Sequence, residues 1–150
     1  MARLERSEVS GIVTIESGTP LNITLTGDQG GNGIGGTNRP DKAGALKAPH
    51  TKQQWITDSA FAFPAVGDWG NLAHNAVDGP GRDNWNLSLF KNFVFSEARG
   101  SGFELRLETF NTFNHPQISN MPLGLGDAKF GLPNSFFPGR IIQLGGKITF

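Results

Sequence analysis

Apolar residues recur at alternate positions in four stretches of the chain, and a period of two marks a β-strand rather than a helix. The clearest stretch is 103–113, where Phe103, Leu105, Leu107 and Phe113 alternate with Glu104, Arg106 and Glu108. In 85–95 the odd positions carry Trp85, Leu87, Leu89, Phe93 and Phe95, with Asn86, Ser88 and Asn92 between them and Lys91 as the exception. Residues 140–150 put Ile142, Leu144, Ile148 and Phe150 on one face, around Gly146, and Gln143, Lys147 and Thr149 on the other. The fourth stretch, 10–26, is longer and interrupted. It carries Ile12, Val13 and Ile15, bends at Ser17-Gly18-Thr19-Pro20, and resumes through Leu21, Ile23 and Leu25; Pro20 is where regular pairing should be disturbed.

The intervening segments carry no period. Gly, Asn, Pro and Asp dominate 27–83, with room for one short helical turn in 51–62; a stretch of that length without a period inside a compact domain points to a functional loop or to a wrong assignment. Residues 96–102 form a polar turn, and 114–139 form a second loop rich in Pro and Gly. The expectation is an all-β chain of about four strands. They pair antiparallel in sequence order through a long, a short and a long connection.

A chain of 150 residues holds one ordinary hydrophobic core. Thirteen basic residues balance 13 acidic ones, so no net field recruits nucleic acid, and none is expected as a partner. With no cysteine, disulfides and thiolate metal sites are excluded. The absence of any apolar run of about 18 residues excludes a membrane-spanning helix, yet a barrel strand crosses with about 9 to 11 alternating residues. Each of the last three strands has that length. In barrels the short turns are periplasmic and the long loops external, which would put 96–102 and Phe150 on the periplasmic side. Residues 1–8 have charge but no apolar core, unlike a secretory signal peptide. The expectation is that the chain either stays inside the cell or is the tail of a longer exported protein.

Several segments together resemble the C-terminal barrel end of TonB-dependent receptors. They are Ser17-Gly18-Thr19-Pro20, Asn38-Arg39-Pro40-Asp41, Gly79-Pro80-Gly81, residues 84–91 (NWNLSLFK), residues 108–116 (ETFNTFNHP) and the terminal alternating strand. More narrowly, they are similar to the Oar-like receptors of acidobacterial type that carry a carboxypeptidase-regulatory-like domain. The resemblance covers nearly the whole chain from Gly11. It implies a bacterial outer-membrane barrel of about 22 strands around a plug, of which this chain would supply the last strands and no plug. It also implies ligand uptake powered through a TonB-type energy transducer that acts on the full-length receptor. The surrounding partners would be outer-membrane lipid and the barrel-assembly machinery, for which Ile142, Leu144, Ile148 and Phe150 would form the assembly signal.

No catalytic constellation emerges, and no enzyme, cofactor or metal is expected. Gly31, Gly33 and Gly36 satisfy G-x-G-x-x-G, but Thr37-Asn38-Arg39-Pro40 follows where a dinucleotide fingerprint needs a helix. His50, His74 and His115 lack a second ligand at metal spacing, and no G-x-S-x-G marks a nucleophile. Glu104, Arg106 and Glu108 share one strand face, as charges on a barrel lumen wall do. Asn22-Ile23-Thr24 and Asn86-Leu87-Ser88 match glycosylation acceptors but lie in expected strands. Trp55, Phe61, Phe63 and Trp69 punctuate the long loop; packing is the first reading, with Trp55 and Trp69 as possible ligand contacts. Lys91 is expected to snorkel toward the periplasmic surface. The competing architectures are a soluble β-sandwich that binds carbohydrate and a stand-alone small barrel, which needs about eight strands.

Overall fold

The computed structural model describes residues 6–150. Its four long strands, Arg6–Glu16, Arg82–Ser96, Ser101–Phe110 and Ile141–Thr149, form one sheet, each antiparallel to its neighbour and ordered as in the sequence. The pairing and order match the alternation. The boundaries differ in places. The polar turn shortens to 97–100, with Gly100 at φ +65° and its N–H donating to the Glu97 carbonyl. The third strand stops at Phe110 because Asn111 turns left-handed (φ +51°), a conformation Asn tolerates better than other non-glycine residues.

The register sorts the side chains into two faces. Leu89 is flanked by Val9 and Leu107, and Leu107 is flanked in turn by Leu144. One row along lie Gly11, Leu87, Thr109 and Ile142; two rows the other way lie Phe93, Phe103 and Ile148. The opposite face carries Glu104, Arg106 and Glu108 beside Asn92, Phe90 and Ser88 on one side, and Lys147, Gly145 and Gln143 on the other. Arg106 is bound to Glu104 at 2.8 Å and lies over the Phe90 ring, 5.0 Å from its centroid. Phe103, Leu105 and Leu107 thus face away from Glu104, Arg106 and Glu108, as the period of two requires.

Contacts divide the chain into two compact units. The sheet belongs to the first, and the second comprises Ser17–Gly81 and Gln117–Phe137. Among the described residues the buried hydrophobic cluster sits in the second unit: Ile23, Leu25, Ile56, Ala60, Phe61, Leu72, Val77, Leu125 and Phe130. This corrects two expectations. The extended segment 10–26 is not one sheet strand, since the long strand ends at Glu16. Pro20–Leu21 instead pairs with Val77–Asp78, and Thr24–Leu25 runs parallel to Gly124–Leu125. The apolar alternation of Leu21, Ile23 and Leu25 packs the second unit rather than the sheet. Nor is 27–83 structureless. It contains a turn of 3-10 helix at Asp58–Ala60, inside the window expected for a helical turn, and Asp41–Lys42 pairs with Phe61–Ala62.

Candidate functional site

The sheet of the first unit leaves much of its apolar face exposed. Leu89, Leu144 and Ile148 are 45%, 73% and 66% exposed, so the hydrophobic face the sequence builds is not buried. The rows are closely fitted: a Cβ on Gly11 would meet the Leu87 side chain at 2.7 Å, and one on Gly146 would meet the Phe103 ring at 3.0 Å. Asp83 and Lys91 are the charged positions of the second strand on this face. Asp83 pairs in register with Ile15 and accepts the Trp85 indole N–H at 2.7 Å, while its other oxygen lies 3.4 Å from His115 Nδ1. Trp85 meets Phe113 edge-on, and Phe113 stacks on His115. At the other end Lys91 Nζ reaches the Ser7 hydroxyl at 3.2 Å, one residue pair before the stacked Phe93 and Phe103 rings. Carrying Lys91 on a lipid face would cost about 2 to 4 kcal/mol at the midplane and about 0 to 1 near the interface, so its place near the short-turn end matters.

Apart from 84–91 and the terminal strand, which lie in the sheet, the motifs that carried the resemblance form or contain corners. In the second unit Gly18 sits against the Gly79 backbone, and the Gly79 N–H donates to the Thr19 carbonyl at 2.9 Å. Asn38 and Pro40 are buried, Arg39 donates to the Leu72 carbonyl at 2.8 Å, and Asp41 accepts the Asn71 N–H at 2.9 Å. In the first unit buried Asn111 donates through Nδ2 to the carbonyls of His115 and Pro138, and its Oδ1 accepts the His115 N–H. Sequence reading found these motifs without finding their work, because a side chain that closes a turn leaves no period.

The four residues of the expected assembly signal lie along or just after the strand Ile141–Thr149. Ile142, Leu144 and Ile148 share its apolar face, and Phe150 follows the last paired residue and is fully exposed. Trp55 is engaged within the second unit: its indole N–H donates to the Asp78 carbonyl at 2.9 Å and its ring stacks on His50 at 4.5 Å. Trp69 is 67% exposed. The glycine-rich segment is a turn closed by Asp28, whose carboxylate accepts the N–H groups of Gly33 at 2.7 Å and Asn32 at 3.0 Å and the Asn38 amide at 3.3 Å. The Gly33 N–H above all holds this carboxyl below the usual carboxylate range; the Asn32 N–H and the Asn38 amide act in the same direction, and partial desolvation opposes them. Gly31, Gly33 and Gly36 all have positive φ, so these glycines serve the turn's backbone. Among the described residues no group of three or more His, Cys, Asp or Glu is placed to hold a metal ion.

Exposed alternating strands and a separately packed loop unit are compatible with several all-β families, and comparison with known families decides among them. The model of the outer membrane beta barrel domain matches residues 7–143. The chain belongs to that family. The match spans all of the second and third strands and reaches into the first and last, so this outer-membrane β-barrel domain includes both the sheet and the loop unit. Membership places the protein in the bacterial outer membrane. Neither the comparison with curated proteins nor that with solved structures gave a match.

Proposed function

We propose that this chain is the C-terminal barrel segment of a TonB-dependent receptor, a transporter that takes up a ligand across the outer membrane and is not an enzyme. The observation that carries the reading is the strand plan. Four antiparallel strands follow one another in sequence order, with a short turn at one end and both long connections leaving from the other. That is how outer-membrane barrels divide periplasmic turns from external loops. The ordered motifs from Ser17-Gly18-Thr19-Pro20 to 108–116 narrow the reading to TonB-dependent receptors, the Oar-like ones in particular.

In this reading the apolar face meets lipid, and Glu104, Arg106 and Glu108 line the lumen. Ile142, Leu144, Ile148 and Phe150 present the closing strand to the barrel-assembly machinery. Ligand specificity lies in the external loops, where Trp69 offers an exposed aromatic face. The energy transducer acts on parts of the receptor outside these residues. A soluble β-sandwich would need a second sheet over Leu89, Leu144 and Ile148, and their exposure speaks against it.

The test is in native outer membranes, with an antibody raised against a peptide from 27–83. The reading expects a heat-modifiable polypeptide much longer than this chain that cross-links in the cell to a TonB-type transducer. A species of this length alone, or a long one that never cross-links, would count against it.

A further inference from the structure

We propose that Asn32-Gly33 is a self-modifying site: the Gly33 nitrogen closes a succinimide on the Asn32 side chain, with the Asp28 carboxylate as base, and water opens the ring to aspartyl and isoaspartyl forms. The inference rests on the turn at 28–38 and is independent of the receptor reading. Asn32-Gly33 is the one Asn-Gly pair in the chain. Glycine has no side chain to shield its nitrogen, and Gly33 sits at φ +78° with open space around its Cα. Both residues are exposed, so water reaches the ring. Three hydrogen bonds align the reacting groups. Asp28 Oδ2 accepts the Gly33 N–H at 2.7 Å, which puts a carboxylate on the proton that must leave. Asn32 Oδ1 accepts the Ile34 N–H at 2.8 Å, a bond that folds the carboxamide back over the Gly33 peptide and polarises its carbonyl. Asp28 Oδ1 accepts the Asn32 N–H at 3.0 Å and so ties the base to the backbone beside the reacting pair. The Gly33 N–H lies in the peptide plane, whereas attack uses the electron density above that plane, so the bond to Asp28 leaves the nucleophilic face open.

As the bond from Gly33 N to Asn32 Cγ forms, the Gly33 proton passes to Asp28 and the carbonyl electron pair moves onto Oδ1, where the Ile34 N–H stabilises it. The pair then returns to carbon, the Cγ–Nδ2 bond breaks, and Nδ2 leaves as ammonia with the proton that Asp28 accepted. Water adds to either ring carbonyl and breaks its bond to the Gly33 nitrogen: opening at Cγ gives aspartate, and opening at the Asn32 backbone carbonyl gives isoaspartate. Both products set a new carboxylate near that of Asp28 and remove Nδ2, which reaches the Oδ1 of buried Asn38 at 3.4 Å. Asn38 holds the turn on the core strand, since its backbone carbonyl accepts the Leu25 N–H at 2.8 Å. Modification at Asn32 therefore loosens the turn from the core of the loop unit.

The experiment ages the native, full-length protein in outer membranes at neutral pH and maps the peptide containing Asn32 by mass spectrometry, which separates asparagine, succinimide, aspartate and isoaspartate. Heat-modifiability, recorded for every sample, reports on folding. Conversion should run about ten-fold faster in the folded protein than in the same chain unfolded in urea, less than the roughly 10²-fold or more that a positioned base supplies in an enzyme. Asp28→Asn should bring the folded rate down to about that of the unfolded chain. A folded rate equal to or below the unfolded one overturns the proposal without recourse to any variant. Heat-modifiable Asp28→Asn that converts as fast as the parent, or faster, also overturns it, because Asp28 would then be a spectator or a protector of the pair. Either failure leaves the receptor reading untouched.

Discussion

The Cα of Gly18 lies so close to the Gly79 carbonyl that a methyl group on Gly18 would overlap the oxygen. Two motifs far apart in the sequence therefore meet backbone to backbone, which a side chain would prevent. Gly18→Ala should loosen the second unit by about 1 to 3 kcal/mol or more, as overpacking does. Gly35 has open space around it, so Gly35→Ala should be neutral. Limited proteolysis of the 27–83 loop in the folded protein measures this: cleavage should accelerate in Gly18→Ala and stay unchanged in Gly35→Ala.

Asn111 combines a left-handed backbone with three side-chain bonds to the segments that follow it. Asn111→Gly should remove the bonds but keep the conformation, at about 0.5 to 1.5 kcal/mol for each bond lost. Asn111→Ala should cost about 1 kcal/mol more, for the left-handed strain. Denaturant midpoints in detergent should rank parent above Asn111→Gly above Asn111→Ala. Equal midpoints for the two variants would mean that the backbone conformation carries no cost.

These corners also mark what the sequence does and does not disclose. Where one face is apolar over many consecutive pairs, as from Leu87 to Phe93 and Phe103 to Leu107, alternation yields strand, partner order and facing together. It does not say which sheet a strand joins, and so Leu21, Ile23 and Leu25 read as a continuation of the first strand although they pack the second unit's core. That core draws on Ile56, Ala60, Phe61, Leu72 and Val77, scattered singly between turns, where no window of regular spacing exists. The end of the third strand was legible in principle, since Asn111 and Asn114 are among the few side chains that accept positive φ. Trp55 and Trp69 look alike in sequence, and the Asp78 carbonyl and the His50 ring, which engage Trp55, make the difference between them.

Asp28 gives the glycine-rich turn a pH dependence whose sign follows from its hydrogen bonds. Its native pKa is lowered, so the stabilisation is complete above the unfolded carboxylate's pKa and is lost as pH falls through the lower native value. Amide exchange at Asn32 and Gly33, corrected for intrinsic rates, should accelerate over that acid window. Asp28→Asn removes the titrating group and should flatten the dependence. A parent profile as flat as that of the variant would contradict the assignment.

Phe150 has no packing to lose, being fully exposed after the last paired residue. If it is read by the assembly machinery, Phe150→Ala should lower the heat-modifiable amount of full-length receptor in outer membranes, with little change in the denaturant midpoint of whatever folds. Lys129→Gln, a comparable change in the loop unit, should leave the amount unchanged. Equal amounts for the two variants would remove Phe150 from the assembly signal.

The facing of the sheet predicts where a new charge is tolerated. Leu107 lies between Leu89 and Leu144 on the apolar face, in a row midway along it, whereas Gln143 is opposite Glu108 on the polar face. An arginine at position 107 would place its guanidinium in lipid near the midplane, at about 2 to 4 kcal/mol, and its neighbours Leu89 and Leu144 offer no anion. An arginine at 143 would face Glu108 across the strand pair, where opposite charges contribute about 0.2 to 1 kcal/mol. Leu107→Arg should therefore lower the denaturant midpoint of the detergent-folded barrel strongly, and Gln143→Arg should leave it level or raise it slightly. The reverse ranking would mean that the sheet presents its charged face to lipid, contrary to the register on which the lumen assignment of Glu104, Arg106 and Glu108 depends.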